Sequence, residues 1–224
     1  MPLLRDWGLR DYSESLVDMR ELVRARRAGT IGDCLILVEH PAVVTVGVEG
    51  DDGSAAGSGL PVVRVERGGH ATYHAPGQLV GYPIVDLDPR ARDVRRFVHQ
   101  VEDLVVDAVA SFGIRGGHVP GQRGVWIDGR RKIASVGIAI DHWVTFHGFA
   151  LTVDLDLAPF TRFQPCGMSG SVMTSLAREL GRPVGIGEVK GPVIAAWNAR
   201  FGPGSDTVSP TRPDPERAAV RSPA

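Results

Sequence analysis

Short runs of β-branched and aliphatic residues, each cut off by glycine or proline, dominate this chain. They occur at 34–38, 43–46, 62–65, 79–85, 124–127, 132–140 and 143–153. Runs of this length between turn formers are the mark of strands with at least one buried face. The last two are separated only by Asp141 and His142, which predicts a hairpin. Helical periodicity is rarer. Over 11–28, Tyr12, Leu16, Met19 and Val23 recur every three or four residues, and Asp11 with Glu14 has capping-box spacing. Over 93–112, Phe97, Val101, Leu104, Val105, Ala108 and Val109 share one face, and Gly113 follows as a stop. Segments 171–180 and 189–201 read as closing helices, with Gly191-Pro192 weakening the start of the last. Strands outnumber helices without strict alternation, so the pattern predicts an α+β domain, a mixed β-sheet with packed helices.

At 224 residues the chain fits one large domain, expected to span 1–202. Residues 203–224 hold almost no large apolar side chain and are expected to form a disordered tail. The small, polar segment 51–60 reads as a surface loop. A net charge of -1 argues against a nucleic-acid surface. No stretch approaches the roughly 20 apolar residues of a membrane span. The N-terminal residues lack the charged start and apolar run of a signal peptide, so the expected location is cytoplasmic, where thiols stay reduced.

Two scarce residue types point to chemistry. The cysteines are Cys34, within a strand-like run, and Cys166, within Phe-Gln-Pro-Cys-Gly. Pro165 restricts the backbone before Cys166, and Gly167 permits close approach after it. A free thiol with a pKa of about 8.5 is roughly 3% thiolate at pH 7, already enough for a nucleophile. Among 25 basic residues only Lys132 and Lys190 are lysines. A lysine retained in so arginine-biased a chain suggests a task that needs a removable proton, which arginine cannot supply. Strand alternation would place Arg130 on the same face as Lys132.

The densest cluster of polar and aromatic residues runs from Arg67 to Pro83. Gly68-Gly69 allows close backbone approach to a ligand, Arg67 suits an anionic or carbonyl group, and Thr72, Tyr73, His74 and Gln78 supply hydrogen bonds. An ordinary turn accounts for the glycines but not for that crowding. His74 and His147 read first as structural histidines. His70 and His74 with Cys166 lack any CxxC or HExxH pattern, so no metal is expected. Arg24, Arg26, Arg27, Arg95 and Arg96 read as solvated helix faces.

The order R-G-G-x-x-T-x-H-x-P-G-Q, G-V-W-I, K-I-A-S-x-G-I, H-G-F-A-L and P-C-G resembles the octanoyl transferase family, also called lipoate-protein ligase B. Glu39-His40-Pro41 and the Gly77–Ile84 continuation fit the same pattern, which covers most of the chain from Leu35 to Leu176. The resemblance implies a biotin/lipoate protein ligase fold and an acyltransferase of lipoate biosynthesis and protein lipoylation. The implied donor is octanoyl-acyl carrier protein. The implied acceptors are lipoyl domains of 2-oxoacid dehydrogenase E2 subunits and the glycine cleavage H protein, with no cofactor, nucleic acid or membrane. By position, Cys166 would carry the acyl group as a thioester and Lys132 would be its partner. Arg67, Gly68, Gly69, His70, Ala71, Thr72, Tyr73, His74, Ser135, Val136, Gly137, Gly148, Phe149 and Ala150 would form the substrate pocket. Val80 and Ile138 are further candidate walls, and the Gly167 N–H is a candidate oxyanion donor. Ala75 and Thr152 depart from the family pattern, where glycine and asparagine are usual. An ATP-dependent lipoate or biotin ligase on the same fold is the alternative; the Pro-Cys-Gly element and the lack of a Gly-Arg-Gly-Arg run weigh against it. A non-catalytic acyl or lipoyl-domain binding protein is a third reading.

Overall fold

The computed structural model describes residues 3–50, 53–56, 58–162 and 170–202. Chain order within these is β1 (Leu3–Leu9), α1 (Tyr12–Arg27), β2 (Cys34–Glu39), β3 (Val43–Val46), α2 (Gly53–Ala56), β4 (Val62–Arg64), β5 (Ala71–His74) and β6 (Gln78–Ile84). Then follow α3 (Val94–Ala110), β7 (Gly116–Val119), β8 (Gln122–Ile127), β9 (Arg131–Asp141), β10 (Val144–Thr152), α4 (Leu176–Leu180) and α5 (Ile186–Phe201). One sheet has the order β1-β2-β6-β10-β9-β8-β7, and a smaller one the order β4-β3-β5. Parallel pairing is confined to β1 with β2 and β3 with β4, so both sheets are mixed.

Two rows of paired residues cross the large sheet. Leu37, Gly81, Phe149 and Val136 form one, and Val38, Val80, Ala150 and Ser135 form the next. Because side chains alternate faces along a strand, adjacent rows face opposite ways. The first row packs with α3 and α5 through Phe97, Val101, Leu104, Val193 and Trp197. In the second row Val38, Val80 and Ala150 pack with α1 through Tyr12, Leu16, Met19 and Val23. Burial on both faces explains why the strands read as continuous apolar runs. A third cluster joins the small sheet to the segment after β10 through Tyr73, Leu155, Phe160 and Met173.

Local chemistry sets the ends of the elements. Asp11 caps α1, its Oδ1 accepting from the Ser13 and Glu14 N–H groups at 2.8 and 3.1 Å, and Arg24, Arg26 and Arg27 complement the dipole in the last turn. The hairpin between β9 and β10 turns at His142 and Trp143, one residue later than expected, with φ of 48° and 66°. Two adjacent left-handed residues form the turn whose twist matches a two-residue hairpin. In α5, which starts at Ile186 rather than 189, Pro192 removes one backbone donor. Val189, Val193, Trp197 and Phe201 are buried against the core and hold the helix together around it.

Some elements were not expected. Edge strand β1 is interrupted by Arg5, Asp6 and Gly8, β7 is glycine-rich, and β5 lies inside the polar cluster. The segment 171–180 is a 3-10 turn (Gly170–Val172) followed by the short α4, capped by Ser175 and ended by left-handed Gly181. Cys34 is a free, fully buried thiol, and burial pushes its pKa up to about 11. No helix among the described residues is long and apolar enough to cross a membrane. The tail expected at 203–224 lies outside the described residues.

At Gly81 the Phe149 ring occupies the space a Cβ would need. Gly81→Ala is therefore expected to destabilise the fold by about 1–3 kcal/mol in a denaturant titration. Adding Phe149→Leu should recover part of that loss; full additivity of the two changes would contradict the close packing.

Candidate active site

The loop after β4 lies directly on β9. The Gly68 N–H donates to the Ile138 carbonyl at 3.0 Å, and a Cβ on Gly137 would stand 2.9 Å from the Gly68 oxygen and 3.1 Å from Arg67 Cδ. Glycine at 137 is what permits this approach. The crossing closes one side of a cleft between the α1-facing surface of the large sheet and the small sheet. Its walls are Tyr12, Arg67, Gly68, Gly69, Thr72, His74, Val80, Tyr82, Ser135, Val136, Gly137, His147, Gly148, Phe149 and Ala150, and it opens to solvent.

Strand geometry sorts the expected pocket residues. On β5, Thr72 and His74 face the cleft while Ala71 and Tyr73 turn into the third apolar cluster. His70 lies outside the cleft, 3.9 Å from Glu49. Arg67 lines the cleft, but its guanidinium binds protein. Nη2 donates to Thr45 O at 2.9 Å and Thr45 Oγ1 at 2.8 Å, and Nη1 donates to Gly68 O at 3.1 Å. The buried cation thus locks the loop onto β3.

Buried rings form the deep wall. His40 donates from Nδ1 to the Arg10 carbonyl and accepts at Nε2 from the Tyr82 hydroxyl, both at 2.8 Å. Burial lowers its pKa to about 4. His74 donates from Nδ1 to Gln78 Oε1 at 2.7 Å, an acceptor oriented because Gln78 Nε2 donates to the Tyr73 carbonyl. Burial, then the neighbouring His40 and Arg67, hold His74 well below its usual range. Tyr12 stacks on His74 with centroids 5.6 Å apart, and burial pushes its phenol up to about 12. All these rings are therefore neutral at physiological pH.

His147 sits in β10 with φ of 55°, an uncommon conformation for a non-glycine residue. Its N–H points to Met19 Sδ at 3.1 Å, its Nδ1 lies 3.4 Å from the Tyr12 hydroxyl, and its Nε2 lies 3.5 Å from Glu66 Oε2. Burial lowers the imidazole pKa, while contact with His147 and then Arg20 holds Glu66 down at about 2.

A bulge decides where Lys132 points. Val125 pairs with Ala134 but Trp126 pairs with Lys132, leaving Ile133 as the extra residue. Ile133 and Ala134 both pack into the helix-side core, so alternation is broken between them. Regular alternation from Ser135 would send Lys132 to that same side. Instead it shares a face with its partner Trp126, opposite to Val125 and Ile127, with Nζ 5.4 Å from the indole centroid. Lys132 is only 2% exposed, and its Cε passes over Gly124, where a Cβ would come within 2.8 Å. Arg130 does not share this face: it belongs to the turn before β9, its N–H donating to the Ile127 carbonyl at 3.0 Å.

Cys166 and Gly167 lie outside the described residues. The flanking chain meets beside Lys132. Gly170 packs on the Phe160 carbonyl with no room for a side chain, Met173 forms a bridge with Lys132, and the Thr174 N–H donates to the Lys132 carbonyl at 3.0 Å.

Tyr12, Tyr82 and Thr45 carry no distinct site signal in the sequence. The helical period places Tyr12 among the apolar positions of α1. Its hydroxyl, which needs a partner when buried, was the signal that it ends in a polar wall.

The neutral imidazoles make stability depend on pH. A histidine whose folded pKa is depressed contributes its full stability above its unfolded pKa of about 6.5, and loses it as pH falls toward the folded value. For His40 that window runs from about 6.5 down to about 4. The melting temperature should fall across this range, and less steeply for His40→Gln; equal slopes would show that His40 is not a carrier of the effect.

A family model described as the lipoyl protein ligase A/B catalytic domain matches residues 11–198. An octanoyltransferase of Geotalea uraniireducens is 45% identical over 192 residues, covering 86% of this chain and 89% of that protein. One from Mycobacterium tuberculosis is 45% identical over 195 residues, covering 86% and 84%. Among solved structures, an ATP-bound lipoate-protein ligase A superposes with a TM-score of 0.73 at 18% identity, over 88% of this chain and 84% of that one. The Aquifex aeolicus biotin protein ligase with biotin and ATP gives 0.55 at 11% identity, over 92% and 74%. The mixed sheet with packed helices is therefore the ligase catalytic fold.

Proposed function

The chain belongs to the lipoyl protein ligase A/B catalytic-domain family, and we propose that it is an octanoyltransferase acting through an acyl-Cys166 intermediate. The observation that carries this reading is a buried lysine, turned by a bulge toward the cleft side of the sheet and stitched to the chain that flanks the Pro-Cys-Gly motif. The octanoyltransferase names of relatives at 45% identity point the same way.

In the first transfer, the Cys166 thiolate attacks the carbonyl carbon of the octanoyl thioester on acyl carrier protein. A new C–S bond forms, and the carrier's thiolate leaves and takes up a proton. In the second, the side-chain amine of a lipoyl-domain lysine attacks the acyl-Cys166 carbonyl. The C–N bond forms, the amine loses a proton, and the Cys166 thiolate departs. Lys132 is the residue assigned to move these protons, since its ammonium can give one up and arginine's guanidinium cannot. Gly167 N–H is assigned to the developing oxyanion.

The cleft suits an uncharged acyl chain. Val80 and Ala150 supply apolar wall, and the histidine and tyrosine rings beside them are neutral. Burying six methylenes contributes about 5 kcal/mol before ordering costs. This domain is proposed to comprise residues 1–202 and to act in the cytoplasm on lipoyl domains of 2-oxoacid dehydrogenases and the glycine cleavage system.

Incubation with octanoyl-acyl carrier protein and no ATP should add one octanoyl mass to Cys166, which disappears when an acceptor domain is supplied. Transfer that requires ATP would instead identify a ligase. Cys166→Ser should abolish the adduct. Lys132→Arg should slow transfer by about 10²-fold or more while leaving the melting temperature near that of the unaltered protein. Ala150→Leu, which narrows the cleft, should shift preference toward shorter acyl chains in a competition between hexanoyl and octanoyl donors.

A further inference from the structure

Away from the cleft, two imidazoles converge on one carboxylate. His99 and Glu102 are three residues apart on α3, and His118 is on the adjoining strand β7. His99 Nδ1 stands 3.3 Å and His118 Nδ1 3.1 Å from Glu102 Oε2. One ligand atom from each of the three lies within 4.8 Å of the others. A tetrahedral zinc ion with bonds of about 2.0 Å has ligand–ligand edges of about 3.3 Å, so two edges of such a polyhedron already stand in the folded chain.

The supporting contacts are those a metal centre needs. His118 Nε2 lies 2.7 Å from Asp103 Oδ1, leaving Nδ1 free to coordinate while the other ring nitrogen donates to a carboxylate. Histidine ligands are commonly oriented in this way. Glu102 Oε1 accepts the Gly124 N–H at 2.7 Å, which fixes the carboxylate and directs Oε2 toward the imidazoles. Asp103 is in turn 3.4 Å from Arg200 Nη1. The Glu102 side chain is 5% exposed, whereas those of His99 and His118 are 67% and 37% exposed, so an ion reaches the three from solvent.

The geometry points to a zinc-class divalent cation site formed by His99, Glu102 and His118, with Asp103 orienting His118 and water completing the coordination. A cation at Nδ1 takes the place of the proton held there, which passes to solvent. The bound ion would clip α3 to β7 independently of the acyl cleft, since none of its ligands lines that cleft.

The test is zinc titration at about pH 8, where ligand deprotonation favours binding, against a competing chromophoric chelator. The protein is metal-stripped, tag-free and carries Cys166→Ser to remove a competing thiolate. One zinc per chain with micromolar or tighter affinity is expected, together with a rise in melting temperature. The cobalt-substituted protein should show the strong visible bands of a four-coordinate centre. His99→Gln, an exposed change that leaves the core intact, and His118→Gln should each weaken binding by about tenfold or more. The proposal is overturned if the unaltered site binds no zinc, or if the double variant binds it as tightly.

Discussion

The cleft exists because a glycine-bearing loop lies directly on a strand of the large sheet. Gly68 bonds to Ile138, and the lack of a side chain at Gly137 lets the Arg67 stem pass. Arg67 then reaches across to Thr45 and ties the small sheet to the same place. A buried guanidinium is tolerable only when its donors are satisfied, and here carbonyl oxygens and a hydroxyl satisfy Nη1 and Nη2. Any side chain at Gly137 would push the loop away and open the wall, so backbone contact rather than apolar contact defines the shape of the site.

Within that shape the electrostatics are quiet. His40, His74 and His147 are buried and depressed, and Tyr12 and Tyr82 are raised, so each ring presents a neutral surface. The charges beside these rings are Arg67, committed to Thr45 and the Gly68 carbonyl, and Glu66 against His147. Such a cleft favours a neutral apolar chain over an anionic ligand. The left-handed backbone at His147 fits the same design. It turns the N–H away from the usual ladder toward Met19 and places the ring between Tyr12 and Glu66.

The strand pattern, the helix periods and the glycine pairs are local properties, and they were legible as such. The α+β class, the two long helices with the Asp11 cap, and the hairpin before β10 follow from them. So does membership of Arg67, Thr72, His74, Ser135 and Phe149 in one motif set. Edge strands β1 and β7 were hidden because solvent faces impose no apolar alternation, and glycine weakens any signal left. The pattern at 171–180 predicts one helix, whereas its start is a 3-10 turn seated on Phe160.

The sequence by itself determined which residues are candidates for the chemistry, since scarcity of lysine and cysteine and the order of the motifs are properties of the chain alone. Tertiary structure decided which way Lys132 faces and what charge the buried rings carry. The extra residue at Ile133 reverses the side of the sheet on which Lys132 emerges. Burial beside Arg67 and His40 makes His74 neutral, and the crossing of α3 by β7 brings His118 to Glu102. Each outcome depends on register, desolvation or contact between distant segments, and no local window of sequence contains the partner that sets it.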